Sequence, residues 1–247
     1  MAHAFGIDFG GTGIKGAPVD LDKGEFSEER FRVRTPEKST PEAVATLFKV
    51  VLEQFPEHEG SVGVTVPGVV RRGVVRTAAN IDKSWIGTDA DKFLSKQTGR
   101  KVRAINDADA AGLAEVRYGA AKGNDGLVVV TTLGTGIGTA LIYDGVLIPN
   151  TELGHLEING RDAESEAANS AREREELSWK DWAKRVEQYF RSLEKLVSPD
   201  LIVVGGGVSK HHDEFLPLID IDTEIVPAEL RNNAGAVGAA LYAHEKK

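Results

Sequence analysis

The sequence predicts an α/β protein of two related lobes with a cleft between them, and three observations lead there. Apolar strand-like runs alternate with helical patterns along the whole chain. A strand–turn–strand unit, "FGGTGIKGA" at 9–17, recurs half a chain later as "LGTGIGTA" at 133–140, one glycine shorter. In both copies the glycines join two strands, whereas a dinucleotide-binding βαβ unit runs from its glycines straight into a helix. No GxxxxGK[ST] segment is present either, so a P-loop is excluded.

The elements follow in order. Phe5, Ile7 and Phe9 alternate with small or polar residues, which predicts a strand over 4–9. Gly10, Gly11 and Gly13 make the turn into a second strand over 14–19. Further strands are predicted over 30–34, 61–66, 74–77, 102–106, 127–133, 137–143 and 201–204. Helical patterns cover 41–55, 89–98, 108–120, 178–197 and 232–245, the first opened by Thr40 as N-cap and Pro41 in the first turn. The expected lobes are 1–107, completed by the C-terminal helix within 232–247, and 108–231.

Bulk properties narrow the function. The 247 residues suffice for two lobes with proper cores, and 41% hydrophobic with 28% charged residues is an ordinary globular balance. The formal charge of −8 argues against a broad nucleic-acid surface, while still permitting a local basic groove for a polyanion. With no cysteine, disulfides and thiolate metal sites drop out. No run approaches a membrane span and residues 1–4 leave no room for a signal peptide, so a cytoplasmic protein without membrane partners is expected.

Each glycine turn can aim backbone N–H groups at phosphoryl oxygens, and two copies make a clamp for a phosphate chain. Thr12 and Lys15 add a hydroxyl and an ammonium to the first copy; taken alone, that copy also reads as an ordinary hairpin turn. In "VRAINDADAAGLAE", Asn106 and Asp107 stand where a buried strand meets an Ala-rich helix. One of the pair is explained as an N-cap. The other is a candidate general base for an attacking hydroxyl. "ELGHLEI" gathers Glu152, His155 and Glu157, which suits a metal, hydrogen bonds to a polyol, or a structural histidine. Asn80 is a further polar candidate, Trp85 is either a sugar platform or core, and "LIVVGGGVS" runs a buried strand into Gly205–Gly207, a tight turn or a phosphate seat at a helix start.

Together "DFGGTGIKG", "NDADAAG", "LGTGIGTAL", "ELGHLEI" and "VVGGGVS" resemble, in order and spacing, the ROK sugar kinases of the actin/hexokinase/Hsp70-like (ribonuclease H-like) superfamily. The resemblance spans essentially the whole chain and is strongest to the branch that phosphorylates glucose from inorganic polyphosphate. It implies that Asp8, Gly10, Gly11, Thr12, Gly13 and Lys15 form the first donor segment, and Gly134, Thr135 and Gly136 the second, with Gly206 nearby. Asp107 matches the base that activates the sugar 6-hydroxyl, and Asn106 a sugar contact; Glu152 and His155 match the residues on the 1- and 2-hydroxyl side, and Glu164 a further sugar-side glutamate. Mg²⁺ is expected with the donor, partly through Asp8 and water. Most family members carry a zinc-binding cysteine cluster after the His155 position; "INGRDAESEAANSARERE" has none, so no zinc is expected.

The implied activity is transfer of a phosphoryl group from polyphosphate, or from ATP as a second donor, to O6 of glucose by a homodimer. A polyphosphate donor needs a basic track, for which Arg71, Arg72, Arg76, Lys83, Lys122, Lys195, Lys210, His211 and Arg231 are the candidates. The rival readings are an ATP-specific kinase for glucose or another hexose, a sugar-sensing regulator without catalysis, and an actin-like filament former. The C-terminal helix, rich in small apolar residues, is expected to pack on the first lobe or on a second subunit.

Overall fold

The computed structural model describes residues 3–246; Met1, Ala2 and Lys247, which the expected lobe limits include, lie outside the described residues. The chain divides into two units, Met1–Ala114 with Asn233–Lys247, and Glu115–Asn232.

The first unit begins β1 (His3–Phe9), β2 (Gly13–Asp20), β3 (Glu25–Phe26), β4 (Phe31–Arg34), α1 (Pro41–Glu53) and β5 (Val62–Val66). A small hairpin, β6 (Val70–Arg71) and β7 (Val74–Val75), leads to α2 (Ala90–Thr98), β8 (Val102–Asn106) and α3 (Asp107–Tyr118). The second unit contains β9 (Leu127–Leu133), β10 (Ile137–Tyr143), β11 (Val146–Ile148), a hairpin of β12 (Glu157–Ile158) and β13 (Arg161–Asp162), α4 (Ala163–Ala167), α5 (Asn169–Arg174), α6 (Trp179–Val197), β14 (Leu201–Gly205), α7 (His212–Phe215) and β15 (Glu224–Pro227). The chain then returns to the first unit as α8 (Ala234–Glu245).

The sheets repeat one topology. In the first the order is β3-β2-β1-β5-β8, with β4 also on β2; in the second it is β11-β10-β9-β14-β15. Each places an antiparallel hairpin, β1–β2 or β9–β10, beside two parallel strands. The repeated sequence therefore marks a repeated fold, and its turns occupy equivalent hairpins. Phe9 pairs with Ile14 across the first turn and Leu133 with Ile137 across the second, so the one-residue difference is confined to the loop.

Local signals explain the elements. Thr40 Oγ1 accepts the Ala43 N–H at 3.3 Å and Pro41 opens α1, while Gly99 in a left-handed conformation closes α2. Phe5, Ile7 and Phe9 point into a core completed by Phe48 and Trp85. Trp85 is fully buried, donates its indole N–H to the Ser39 carbonyl at 2.8 Å and lies against Phe9, so of its two readings the core one holds.

The C-terminal helix α8 packs on its own unit's sheet. A Cβ on Gly6 would run into the Ala236 carbonyl, and one on Gly63 into the Ala239 carbonyl. Only glycine lets strand and helix backbones approach this closely. The unit division falls inside α3 at Ala114/Glu115, later than the expected limit at residue 107. Ala110 packs beneath Gly238 of α8, whereas Glu115 turns its carboxylate to the N–H groups of Ala120, Glu229 and Leu230. Among the described residues no helix is long and apolar enough to cross a membrane.

Candidate active site

In the first unit the predicted polar residues collect at the carboxyl ends of β1, β5 and β8. The parallel register sets Ile7 beside Val64 and Val66 beside Asn106, two strand spacings, or about 10 Å, across. Asp8 Oδ2 forms an ion pair with Lys15 Nζ at 2.9 Å across the β1–β2 hairpin, and Asp8 Oδ1 accepts from Thr65 Oγ1 at 2.9 Å. Thr65 Oγ1 also accepts the Phe9 N–H, so one buried hydroxyl fixes both the carboxylate and the start of the turn.

The turn closes through Gly10 N–H to the Gly13 carbonyl at 3.0 Å. Its other carbonyls go to Thr35, whose Oγ1 donates to Gly10 O at 2.6 Å and whose N–H donates to Thr12 O at 3.4 Å. Asn80, in the left-handed region at φ 58°, lays its backbone against Gly11. The structure thus brings Asn80 to the first turn, although the two are far apart in sequence.

At the start of α3 the two neighbouring polar residues separate by role. Asn106 is buried; its Oδ1 accepts the Asp109 N–H at 2.9 Å and its Nδ2 donates to the Gly68 carbonyl at 3.1 Å. Asn106 is therefore the N-cap. Asp107, the first residue of the helix, is exposed, with Oδ1 accepting the Ala108 N–H at 3.0 Å.

In the second unit Gly134 N–H closes its turn on the Gly136 carbonyl at 2.9 Å. Glu164, from the first turn of α4, accepts the Ile137 N–H at 2.7 Å and lies directly over Gly136, where a Cβ would collide with its carboxylate. Gly206, at φ 83°, approaches the backbone of Leu133 at the head of the same turn. After it the chain forms a short 3₁₀ helix, Gly207–His211, before α7.

Glu152 is bracketed by Thr139 of β10, whose hydroxyl donates to the Thr151 carbonyl and accepts the Leu153 N–H. Burial, reinforced by the charge of Glu164, pushes the Glu152 carboxyl above its usual range, while His155 pulls the other way. His155 Nε2 lies 4.0 Å from Glu152, and its Nδ1 lies 3.0 Å from Asp162 Oδ2. The hydrogen bond to Asp162 raises the imidazole pKa; burial opposes it, and the charges of Glu164, Asp162 and Glu152 add to the rise. With Nδ1–H donating to Asp162, the neutral ring presents Nε2 as an acceptor. Asp162 also caps α4 by accepting the Ser165 N–H at 3.1 Å. The β12–β13 hairpin and this cap hold the segment that follows His155.

The ROK family model matches residues 4–168. The chain belongs to the ROK family. It is 52% identical over 240 residues to a polyphosphate glucokinase of Mycobacterium tuberculosis (strain H37Ra), covering 97% of this chain and 90% of that one. A polyphosphate glucokinase of Mycobacterium leprae is 50% identical, with 97% of this chain and 74% of the relative covered. Among solved structures, an inorganic polyphosphate/ATP-glucomannokinase from Arthrobacter sp. strain KM superposes with a TM-score of 0.95 at 53% identity, covering all of both chains.

Within this ROK chain several residues beside the predicted ones went unsignalled in the sequence. Thr35, Thr65 and Ser170 are ordinary polar residues whose partners lie far away in the chain, and only the fold pairs them; Asp162 meets His155 seven residues back, through the β12–β13 hairpin. Arg32, in β4, lays its guanidinium over Gly13 of the first turn. Of the basic candidates, Arg71 and Arg72 lie in the β6–β7 hairpin and Arg76 directly follows it, Lys83 donates to the Ala78 carbonyl at 2.6 Å, and His211 rests against Trp179. Lys122, Lys195, Lys210 and Arg231 are exposed residues of the second unit.

Among the described residues no cluster of three or more Asp, Glu or His side chains forms a metal cage. Mg²⁺ rarely needs one: it keeps several waters and takes one or two carboxylates beside substrate phosphates. Asp8, a hard oxygen donor next to the glycine turn, fits that donor set.

Proposed function

We propose that this ROK protein transfers the terminal phosphoryl group of inorganic polyphosphate, or of ATP, to O6 of glucose. The observation that carries the reading is the division of labour at the head of α3. Asn106 does the capping, which leaves Asp107 exposed beside the strand ends that hold Asp8 and its turn. Likeness to two polyphosphate glucokinases and a polyphosphate/ATP-glucomannokinase supports the substrate pair.

Asp107 takes the proton of the attacking hydroxyl, as a carboxylate does in phosphoryl transfer. Glu152 and the Nε2 acceptor of His155 hold the 1- and 2-hydroxyl side of the sugar, with Asn80, Asn106 and Glu164 as further contacts. Gly11–Gly13, Thr135–Gly136 and Gly206 offer backbone N–H groups to donor oxyanions, Gly10 and Gly134 use theirs to close the two turns, and Lys15 adds a positive charge. Mg²⁺, held by Asp8 through water, would offset the donor's charge. The protein works as a cytoplasmic homodimer in this reading.

The test is a glucose 6-phosphate assay with long-chain polyphosphate and ATP side by side, with and without magnesium, and with mannose as a second acceptor. Product from polyphosphate supports the reading; product from ATP alone replaces it with the ATP-specific kinase. No product from any donor or hexose would leave the sugar-sensing regulator and the actin-like filament former.

A further inference from the structure

Beside Lys15, two more basic residues flank the first glycine turn from β4, the edge strand on the outer side of β2. The register sets Arg32 directly opposite Lys15 and Arg34 opposite Gly13. Paired residues of antiparallel strands share a face, and alternate residues of one strand do too. Lys15, Arg32 and Arg34 therefore stand on one face, with about 7 Å between successive arginines along the strand.

Like charges directly opposite one another destabilise a sheet. Lys15 has Asp8 as its counter-ion, but among the described residues neither Arg32 nor Arg34 has an ion-pair partner. Arg32 turns toward the turn instead: its Nε and terminal nitrogen are the nearest atoms to where a Cβ on Gly13 would lie. The sequence offers carboxylates close by in Glu28, Glu29 and Glu37, yet none of them pairs with either arginine. An uncompensated basic stripe that starts at a phosphate turn and runs along an open sheet edge has the charge and shape for an extended polyanion. A guanidinium is the side chain best suited to bind phosphoryl oxygens in pairs.

We propose that Arg32 and Arg34 form the entry track for the distal phosphates of a polyphosphate donor, leading its end into the Gly10–Gly13 turn. This inference rests on the polyphosphate reading of the site and names the stretch of surface the chain occupies. It sets Arg32 and Arg34, which are not among the basic residues named from the sequence, ahead of those residues as candidates for the groove. ATP, with three phosphates and an uncharged base, would depend less on the stripe.

The experiment compares Arg32→Gln, Arg34→Gln and the double variant with wild type, using Lys49→Gln on the exposed face of α1 as the charge control. Direct binding of labelled long-chain polyphosphate is measured at several salt concentrations, without turnover, and KM values are measured for long-chain polyphosphate, tripolyphosphate, ATP and glucose. The expected result is at least tenfold weaker long-chain binding in the double variant, a shallower salt dependence, and a smaller change for ATP and tripolyphosphate. The glucose KM should not move. Polyphosphate should also raise the melting temperature of wild type more than that of the double variant, since a ligand stabilises only the state it binds. Unchanged long-chain affinity and salt slope, or equal losses in Lys49→Gln, would overturn the proposal. If wild type bound polyphosphate through these arginines yet made no sugar phosphate, the kinase reading would fail and the track would stand.

Discussion

Ser170 Oγ donates to the Thr135 carbonyl at 2.6 Å, and Ser170 N–H donates to the neighbouring Gly134 carbonyl at 3.0 Å. Thr35 does the same for the first turn, through its hydroxyl to Gly10 and its N–H to Thr12. Each glycine turn thus has two of its carbonyl oxygens held by one hydroxyl residue from a different element.

Ser170→Ala keeps the backbone bond and loses the hydroxyl one, worth about 1 kcal/mol. The expected outcome is a donor KM raised about fivefold with the glucose KM unchanged, and recovery in Ser170→Thr. Steady-state kinetics with each substrate varied in turn checks it; a rise in the glucose KM instead would assign Ser170 to the sugar side.

Asp107→Asn retains an oxygen for the Ala108 N–H and removes the proposed proton acceptor. Turnover should fall by roughly 10²- to 10⁴-fold while glucose binding, read by calorimetry, stays within a few-fold. Near-normal turnover would show that the proton leaves by another route.

The imidazole of His155 has its pKa raised above the usual value, chiefly by Asp162. The sign follows: this pairing stabilises the fold fully below the unfolded-state value near 6.5, and the stabilisation is lost as pH rises through the folded value. With His155 in its proposed sugar-binding role, glucose recognition runs the opposite way: protonation removes the Nε2 acceptor, so the glucose KM should climb as pH drops through the same value. Asp162→Ser can still cap α4 with its hydroxyl but cannot reach His155. An NMR titration should show the imidazole pKa moving down toward its usual value in that variant, and an unmoved titration would refute the assignment.

Gly63→Ala should destabilise the first unit by overpacking, since the new Cβ meets the Ala239 backbone, which cannot move aside as a side chain could. A cost of roughly 1–3 kcal/mol or more corresponds to a melting temperature lowered by several degrees. Thermal unfolding followed by circular dichroism reads it directly, and an unchanged midpoint would mean that α8 is not seated on β5.

Much of the fold could be read ahead of the structure because strand alternation, glycine turns and helix caps are local signals. The paired turns, the strand ends and the helix opening at Asp107 all follow from short windows of sequence. β3, β6, β11, the β12–β13 hairpin and β15 gave no such signal: all but β15 run two or three residues per strand, too short for any period to show, and β15 carries no alternation of burial. Trp85 had two readings because an indole suits a sugar face or a core equally well, and only its burial against Phe9 and its bond to Ser39 separate them.

The sequence by itself determined that two glycine turns recur in matching strand contexts and that a carboxylate waits where a strand becomes a helix. Tertiary structure decided which of Asn106 and Asp107 caps the helix, which hydroxyls hold the turns, and that Arg32 rather than a more conspicuous basic cluster lies over Gly13. The physical reason is range. Backbone preference is set by a residue and its few neighbours, whereas a hydrogen bond or an ion pair is set by whatever distant segment the sheet brings alongside.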